Sequence, residues 1–337
     1  MNAFVPLQAQ IKTQQQAADF KSHAHLQAIV GAAPKSIPFL LSGTRCWIAF
    51  FEKCLLKKGC PFPPIISDLM AWSTLFRSAG TFRNYLNYVK TACMIVGAST
   101  SVFDSSELRK ARKAVDKRGE FTSRPKMWIQ HEEVTKIVLC FYTFADEEQP
   151  EYPKFAMLFL LTYSFLLRLP SEALPSIRGN SGMASAGNHK AVLYRQDDDL
   201  FLKLSSRKNK PRGSLLKRSC WCSQCSTTCP VHALWPFFEQ LELGEKPFAG
   251  IIAGRAMQVL RSFMHSLGDR QHKLYRTHDL RRGHAKDLQM NGANLHEILT
   301  AWDGRSPAIF KYLDMFELEA GAVMEAHCDE SSSEDEE

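Results

Sequence analysis

At 337 residues, with 45% hydrophobic and 23% charged side chains, the chain has room for two domains with cores of their own and the composition of a soluble globular protein. No apolar run approaches the roughly 18 residues that cross a bilayer, and Met1 to Phe20 lacks a basic stretch leading into an apolar core, so neither a membrane span nor a secretory signal is expected. The net charge is +7; Cys328 to Glu337 hold six acids and no base, so removing them leaves +13 on the remainder, an excess suited to a polyanion such as nucleic acid.

In chain order, residues 1–35 are polar and rich in Gln and Ala, and read as a flexible arm. From Ser36 the pattern turns helical: Trp47, Phe50, Phe51, Cys54 and Leu55 recur at spacings of three and four until Gly59. Two more helices are expected after the break at Pro61, Pro63 and Pro64, with Ser67 and Thr81 as their N-caps and with Tyr85, Val89 and Ala92 along one face of the second. A strongly basic helix, with Arg109, Lys110, Arg112, Lys113, Lys117 and Arg118, closes this helical domain at about residue 120. A linker is expected over 121–126, where Arg124-Pro125 falls.

The second domain is expected over 127–327. It opens with a helix capped near Gln130, followed by an apolar helix over 154–167. Gly179 to Asn188 reads as a loop, and the alternation from Ala191 to Arg218 as a hairpin or small sheet with a charged turn. Seven bases and no acid lie between Lys203 and Arg218. A helix over 253–267 looks like packing, and the acidic segment 328–337 reads as a disordered tail. The fold class is therefore mainly α with a small β-sheet.

Ten cysteines without an export signal point to free thiols or metal ligands rather than disulfides. Cys220, Cys222, Cys225, Cys229 and His232 crowd one stretch, and four of the five would satisfy a tetrahedral zinc. Unbound thiols in a loop are the other reading. A metal here would brace an insertion.

Chemistry concentrates between Tyr275 and Tyr312. His278 and Arg281 are three apart, one helical turn on one face. A guanidinium there can hold two phosphate oxygens while the imidazole moves a proton near neutral pH, and cations nearby lower the cost of a Tyr312 oxyanion. A solvated basic helix face is the alternative for the pair alone. His284, six positions past His278, reads as a packing or helix-face residue rather than a second proton carrier.

Three segments in order resemble the boxes of the tyrosine recombinase (phage integrase) family. His278-Asp279-Leu280-Arg281 is similar to its H-x-L-R box, and LLTYSFLLRLPSEAL, with Arg168 and Glu172, to its first-arginine box. Arg305-Ser306-Pro307 followed by Tyr312-Leu313 resembles the ending in eukaryotic mobile-element recombinases of the crypton and related types. Two departures stand out: Pro170 looks like an extra residue between Arg168 and Ser171-Glu172, and Gly304 stands where related mobile-element sequences carry Trp, with Trp302 two residues earlier.

The resemblance implies a helical core-binding domain over 36–120 and a catalytic domain over 127–327, closing on double-stranded DNA. Tyr312 would attack a DNA phosphate and leave a 3′-phosphotyrosyl link. Arg168 and Arg281 would stabilise the non-bridging oxygens, His278 would help move the tyrosine proton, and Trp302 would cover the phosphate. A lysine of the charged turn, Lys208 with Lys210 as runner-up, would protonate the leaving 5′ oxygen. Glu172 would be the partner of Arg168 or a buried helper of the site. Arg109, Lys110, Arg112, Lys113, Lys117, Lys210, Arg212 and Arg282 would contact DNA. No cofactor is required, a structural zinc being the one candidate; self-assembly into a dimer or tetramer on DNA is implied. The address would be nuclear in a eukaryote and otherwise cytoplasmic. A decayed or domesticated copy that binds DNA without cutting it is the alternative.

Overall fold

The computed structural model describes residues 36–118, 125–143, 150–207, 210, 212–302 and 313. The arm over 1–35, most of the linker over 121–126, the 328–337 tail, Lys208 and Tyr312 lie outside them. The chain divides into two compact units, Met1–Ser123 and Arg124–Glu337.

The first unit is helical. Helix α1 spans Ile37–Lys53 and buries Trp47, Phe50 and Phe51, the stripe that its three-and-four spacing dictates. Helices α2 (Ile66–Ser73), α3 (Ala79–Ile95) and α4 (Ser106–Lys117) follow among the described residues. Its core is aromatic: the Trp47 and Trp72 rings meet edge-on at 5.2 Å, and Phe76 meets Trp72 at 5.1 Å. Both expected caps are displaced. Ser67 lies inside α2, whose N-cap is Ile65 with no side-chain bond. The cap of α3 is Ser78, whose hydroxyl accepts the backbone N–H of Thr81, so Thr81 is the donor that Ser78 satisfies.

In the second unit, α5 (His131–Thr143) and α6 (Tyr152–Ser164) form a packed pair. From Phe155 to Ser164 every residue of α6 is buried, so this helix is apolar all round and forms the axis of the core. Before α5, the Gln130 N–H donates to the Glu133 carboxylate, the return half of a capping box.

A four-stranded sheet follows in the order β1 (Ser176–Arg178), β2 (Ala191–Gln196), β3 (Asp199–Leu204) and β4 (Ser214–Ser219). The strand β1 runs parallel to β2, and the other neighbours are antiparallel. Instead of a plain loop, residues 179–188 contain a short helix, α7 (Ser181–Ala186), which Asn180 caps by accepting the Met183 N–H. Between β3 and β4 the charged turn closes through Arg207 and Lys210, whose backbones exchange both hydrogen bonds. Gly213 returns the chain at φ +77°, and a Cβ there would lie 2.0 Å from the Leu204 carbonyl oxygen, so only glycine fits.

The unit ends with α8 (Trp235–Glu239), α9 (Ala253–Ser266), α10 (Asp279–Met290) and α11 (Leu295–Trp302). The architecture is mainly α with one small sheet, as composition and periodicity predict.

Candidate functional site

The site grows from the end of α6. After Phe165 the chain turns sharply, with Leu166 at φ 49°, and enters a turn of i→i+5 geometry over Leu169–Ala173. A turn of this kind holds one residue more than an α-turn. It contains Pro170 and brings Glu172 back under Arg168. The Glu172 carboxylate accepts the Arg168 backbone N–H at 2.8 Å and its guanidinium at 3.3 Å.

Glu172 is buried and gathers three arginines. Arg207, from the turn between β3 and β4, grips it with Nε to Oε1 and Nη2 to Oε2, both 3.1 Å, a two-pronged pairing that suits the planar guanidinium. Arg281, from α10, approaches Oε2 at 3.6 Å. Side-chain exposures are 3% for Glu172, 4% for Arg207 and Arg281, and 25% for Arg168. Arg168 is therefore the most open of the three cations. Burial raises the Glu172 pKa, but the Arg207 guanidinium, the Arg168 N–H and the Arg281 charge outweigh it and hold the carboxyl below the usual range. Three guanidiniums around one carboxylate leave positive charge in excess, an arrangement that can hold an anion such as a phosphodiester.

His278 is the N-cap of α10, one turn before Arg281, and its ring is exposed. Its Nδ1 lies 3.1 Å from the Thr277 hydroxyl. Desolvation, then the charges of Arg282, Arg281 and Arg168, push its pKa below the ordinary imidazole value, which favours the neutral ring. Asp279 is buried in the first turn of α10, where it accepts the Arg276 N–H at 2.7 Å and the Arg282 guanidinium at 2.7 Å.

Helix α10 sits directly on the entry to α5: a Cβ at Gly283 would lie 1.7 Å from the Ile129 carbonyl oxygen. His284 is buried, stacks on Tyr163 at 4.5 Å and bonds through Nδ1 to the Tyr163 carbonyl at 2.6 Å. It packs, as its position suggested.

Arg218 ties the sheet to both ends of the site. Its Nε donates to the Ser164 carbonyl at 2.6 Å, closing the end of α6, and its Nη2 donates to the Ala301 carbonyl at 3.0 Å, at the end of α11. Burial, with the nearby Arg207 charge, lowers its pKa to about 10. Beyond α11, Leu313 is buried in one cluster with Leu166, Ala285 and Ile298, next to the segments that carry Arg168 and Arg281.

The structure thus brings Arg168, His278 and Arg281 together and adds Arg207, which the sequence hid among the seven bases between Lys203 and Arg218. Lys208 and Tyr312, and the side chain of Trp302, lie outside the described residues. Lys210 is half-buried in the turn, Arg212 is exposed, and Arg282 is paired with Asp279. In the first unit Arg109, Lys110, Lys113 and Lys117 are exposed on α4 and Arg112 half-buried. Arg118, the last base of this row, turns back on the bundle: its guanidinium donates to the carbonyls of Ser73, Thr74 and Phe76 and closes the end of α2. Of the five candidate metal ligands, Cys220, Cys222, Cys229 and His232 converge, and Cys225 is not among them.

No family model matches the sequence, and no curated protein matches it. Among solved structures the chain is similar to that of the Tn1549 transposon integrase in complex with a circular intermediate DNA, with a TM-score of 0.50 and 11% identity. The match covers 87% of this chain and 95% of that one. At this identity the likeness is one of fold, and the chain has the integrase fold, mainly helical with a small sheet.

Proposed function

We propose that this chain is a DNA strand-transfer enzyme of the tyrosine recombinase type, a site-specific recombinase or integrase derived from a eukaryotic mobile element of the crypton or a related kind. One observation carries the reading: Arg168 and Arg281, far apart in sequence, meet on the buried carboxylate of Glu172 with His278 one turn before Arg281. A carboxylate that is itself buried and triply paired fixes its arginines without neutralising all of them, which is what a phosphate clamp needs.

Tyr312 attacks a DNA phosphate and forms a 3′-phosphotyrosyl link, and the 5′ oxygen departs. Arg168 and Arg281 stabilise the charge that builds on the non-bridging oxygens. Neutral His278 accepts the phenol proton. Lys208 protonates the leaving oxygen; it follows Arg207, whose grip on Glu172 anchors that turn. Trp302 covers the phosphate. The burial of Leu313 against Leu166 and Ala285 supports a nucleophile at the residue before it. Because the phosphodiester energy stays in the covalent link, ATP and catalytic metal are not needed. The exposed bases of α4 grip the duplex backbone, and several subunits assemble on two DNA sites, in the nucleus of a eukaryotic host.

The test is a nicked duplex whose short fragment bearing the freed 5′-hydroxyl diffuses away after cleavage and so traps the intermediate. A protein-DNA band that survives denaturation supports strand transfer; good binding without such a band on any substrate assigns the chain to the DNA-binding, non-cleaving class.

A further inference from the structure

Outside the arginine cluster, one group of side chains converges without a partner that explains it. The sulfurs of Cys220, Cys222 and Cys229 lie 3.3, 3.1 and 3.5 Å from Nδ1 of His232, and the Cys220 and Cys229 sulfurs are 3.8 Å apart. All four ligand atoms fall within 4.8 Å of one another. Hydrogen bonding does not account for this, because one ring nitrogen carries one proton or one lone pair and so serves one such bond, not three. A disulfide does not account for it either, since a sulfur pair at 3.8 Å is far from the ~2.05 Å of a bond. Tetrahedral zinc with Zn–S of about 2.3 Å and Zn–N of about 2.0–2.1 Å separates its ligands by roughly 3.8 Å between sulfurs and roughly 3.6 Å between sulfur and nitrogen. The observed separations are close to those edges.

We infer that Cys220, Cys222, Cys229 and His232 bind one zinc ion as a closed Cys₃His centre. The surroundings are those of a thiolate site: the Trp221 N–H points at the Cys229 sulfur at 3.5 Å and the Cys222 N–H at the Cys220 sulfur at 3.4 Å. Four protein ligands leave no open position, so the ion is structural and activates no water.

Its work is to hold a loop against the helices of the arginine site. Cys220 directly follows β4, and Cys229 and His232 open the turn that leads into α8. Between them, the Thr228 hydroxyl is 2.6 Å from Nε2 of His131, and Trp221 packs edge-on against His131 and His284 at 6.3 and 6.2 Å. The His131 N–H in turn donates to Asp287 of α10 at 2.8 Å. The zinc thus pins a loop that buttresses α10, the helix carrying Arg281.

The test uses the full chain, purified without chelator or added metal and without DNA, so its outcome is separate from that of the cleavage assay. Elemental analysis is expected to give one zinc per folded chain, and exchange into cobalt to give the visible bands of a tetrahedral, thiolate-rich site. Cys222→Ser and His232→Ala should lose the stoichiometric metal, whereas Cys225→Ser should keep it. A folded wild-type chain without zinc, an octahedral cobalt spectrum, or loss of metal in Cys225→Ser would overturn the assignment. The first two readings need no variant to fold.

Discussion

Glu172 is the residue on which the site depends. It is buried with 3% side-chain exposure and carries the charges of Arg168, Arg207 and Arg281. Glu172→Gln keeps the shape but leaves three guanidiniums facing a neutral amide, and is expected to cost about 3–5 kcal/mol in a denaturant titration. The pH dependence has a definite sign. The folded pKa of Glu172 lies below its ordinary value of 4.5, so its contribution is complete above that value and lost as pH falls through the lower folded one. His284 acts in the same direction from higher pH. Burial, with Arg218 and His131 nearby, lowers its pKa from 6.5 to about 3. Below 6.5 the unfolded chain takes a proton that the folded chain refuses, so stability declines by roughly 1.4 kcal/mol per pH unit until the folded value is reached. His284→Asn should remove that slope in unfolding measured across this range; an unchanged slope would show that His284 titrates freely.

At the scale of the elements, α10 is placed by close contact as well as by charge. Gly283→Ala drives a methyl into the Ile129 carbonyl, where backbone, not a flexible side chain, must yield. A loss of about 3 kcal/mol or more is expected in urea unfolding, and a change within about 0.5 kcal/mol would mean that α10 and the entry to α5 separate easily. Local patterns were legible in the sequence. The stripe of α1, the apolar run of α6 and the one-turn spacing of His278 and Arg281 each lie within a few residues. Features that depend on tertiary placement were not. Arg207 and Glu172 are 35 residues apart, and nothing in the sequence distinguishes Arg207 from the six other bases between Lys203 and Arg218. The strand β1 has three residues, too few for alternation to show, and exists because β2 lies beside it. Which four of five candidate ligands converge was decided by the path of the loop, which spacing alone does not fix. Ser67 and Thr81 failed as caps because a neighbouring position, Ile65 or Ser78, starts the helix.

At the scale of the molecule, charge and fold point the same way. The chain carries +7 overall, and the exposed bases of α4 add a row of cations to a unit with a packed aromatic core of its own. Replacing Arg109, Lys110, Lys113 and Lys117 with Gln should leave stability within about 0.5 kcal/mol. The same change should flatten the dependence of duplex affinity on salt by about 0.9 log units per lost phosphate contact. An unchanged salt slope would assign DNA binding to another face. Covalent transfer of a DNA strand to Tyr312 is the step that the arginine cluster around Glu172 is proposed to serve. Its most direct test is mass-spectrometric mapping of the peptide that carries DNA after reaction with the nicked duplex, in the wild type and in Tyr312→Phe. A nucleotide linked at Tyr312 in the wild type and none in the variant, with duplex binding intact, is the expected result; DNA linked to another residue, or an adduct that persists in Tyr312→Phe, would assign the attack to a different nucleophile.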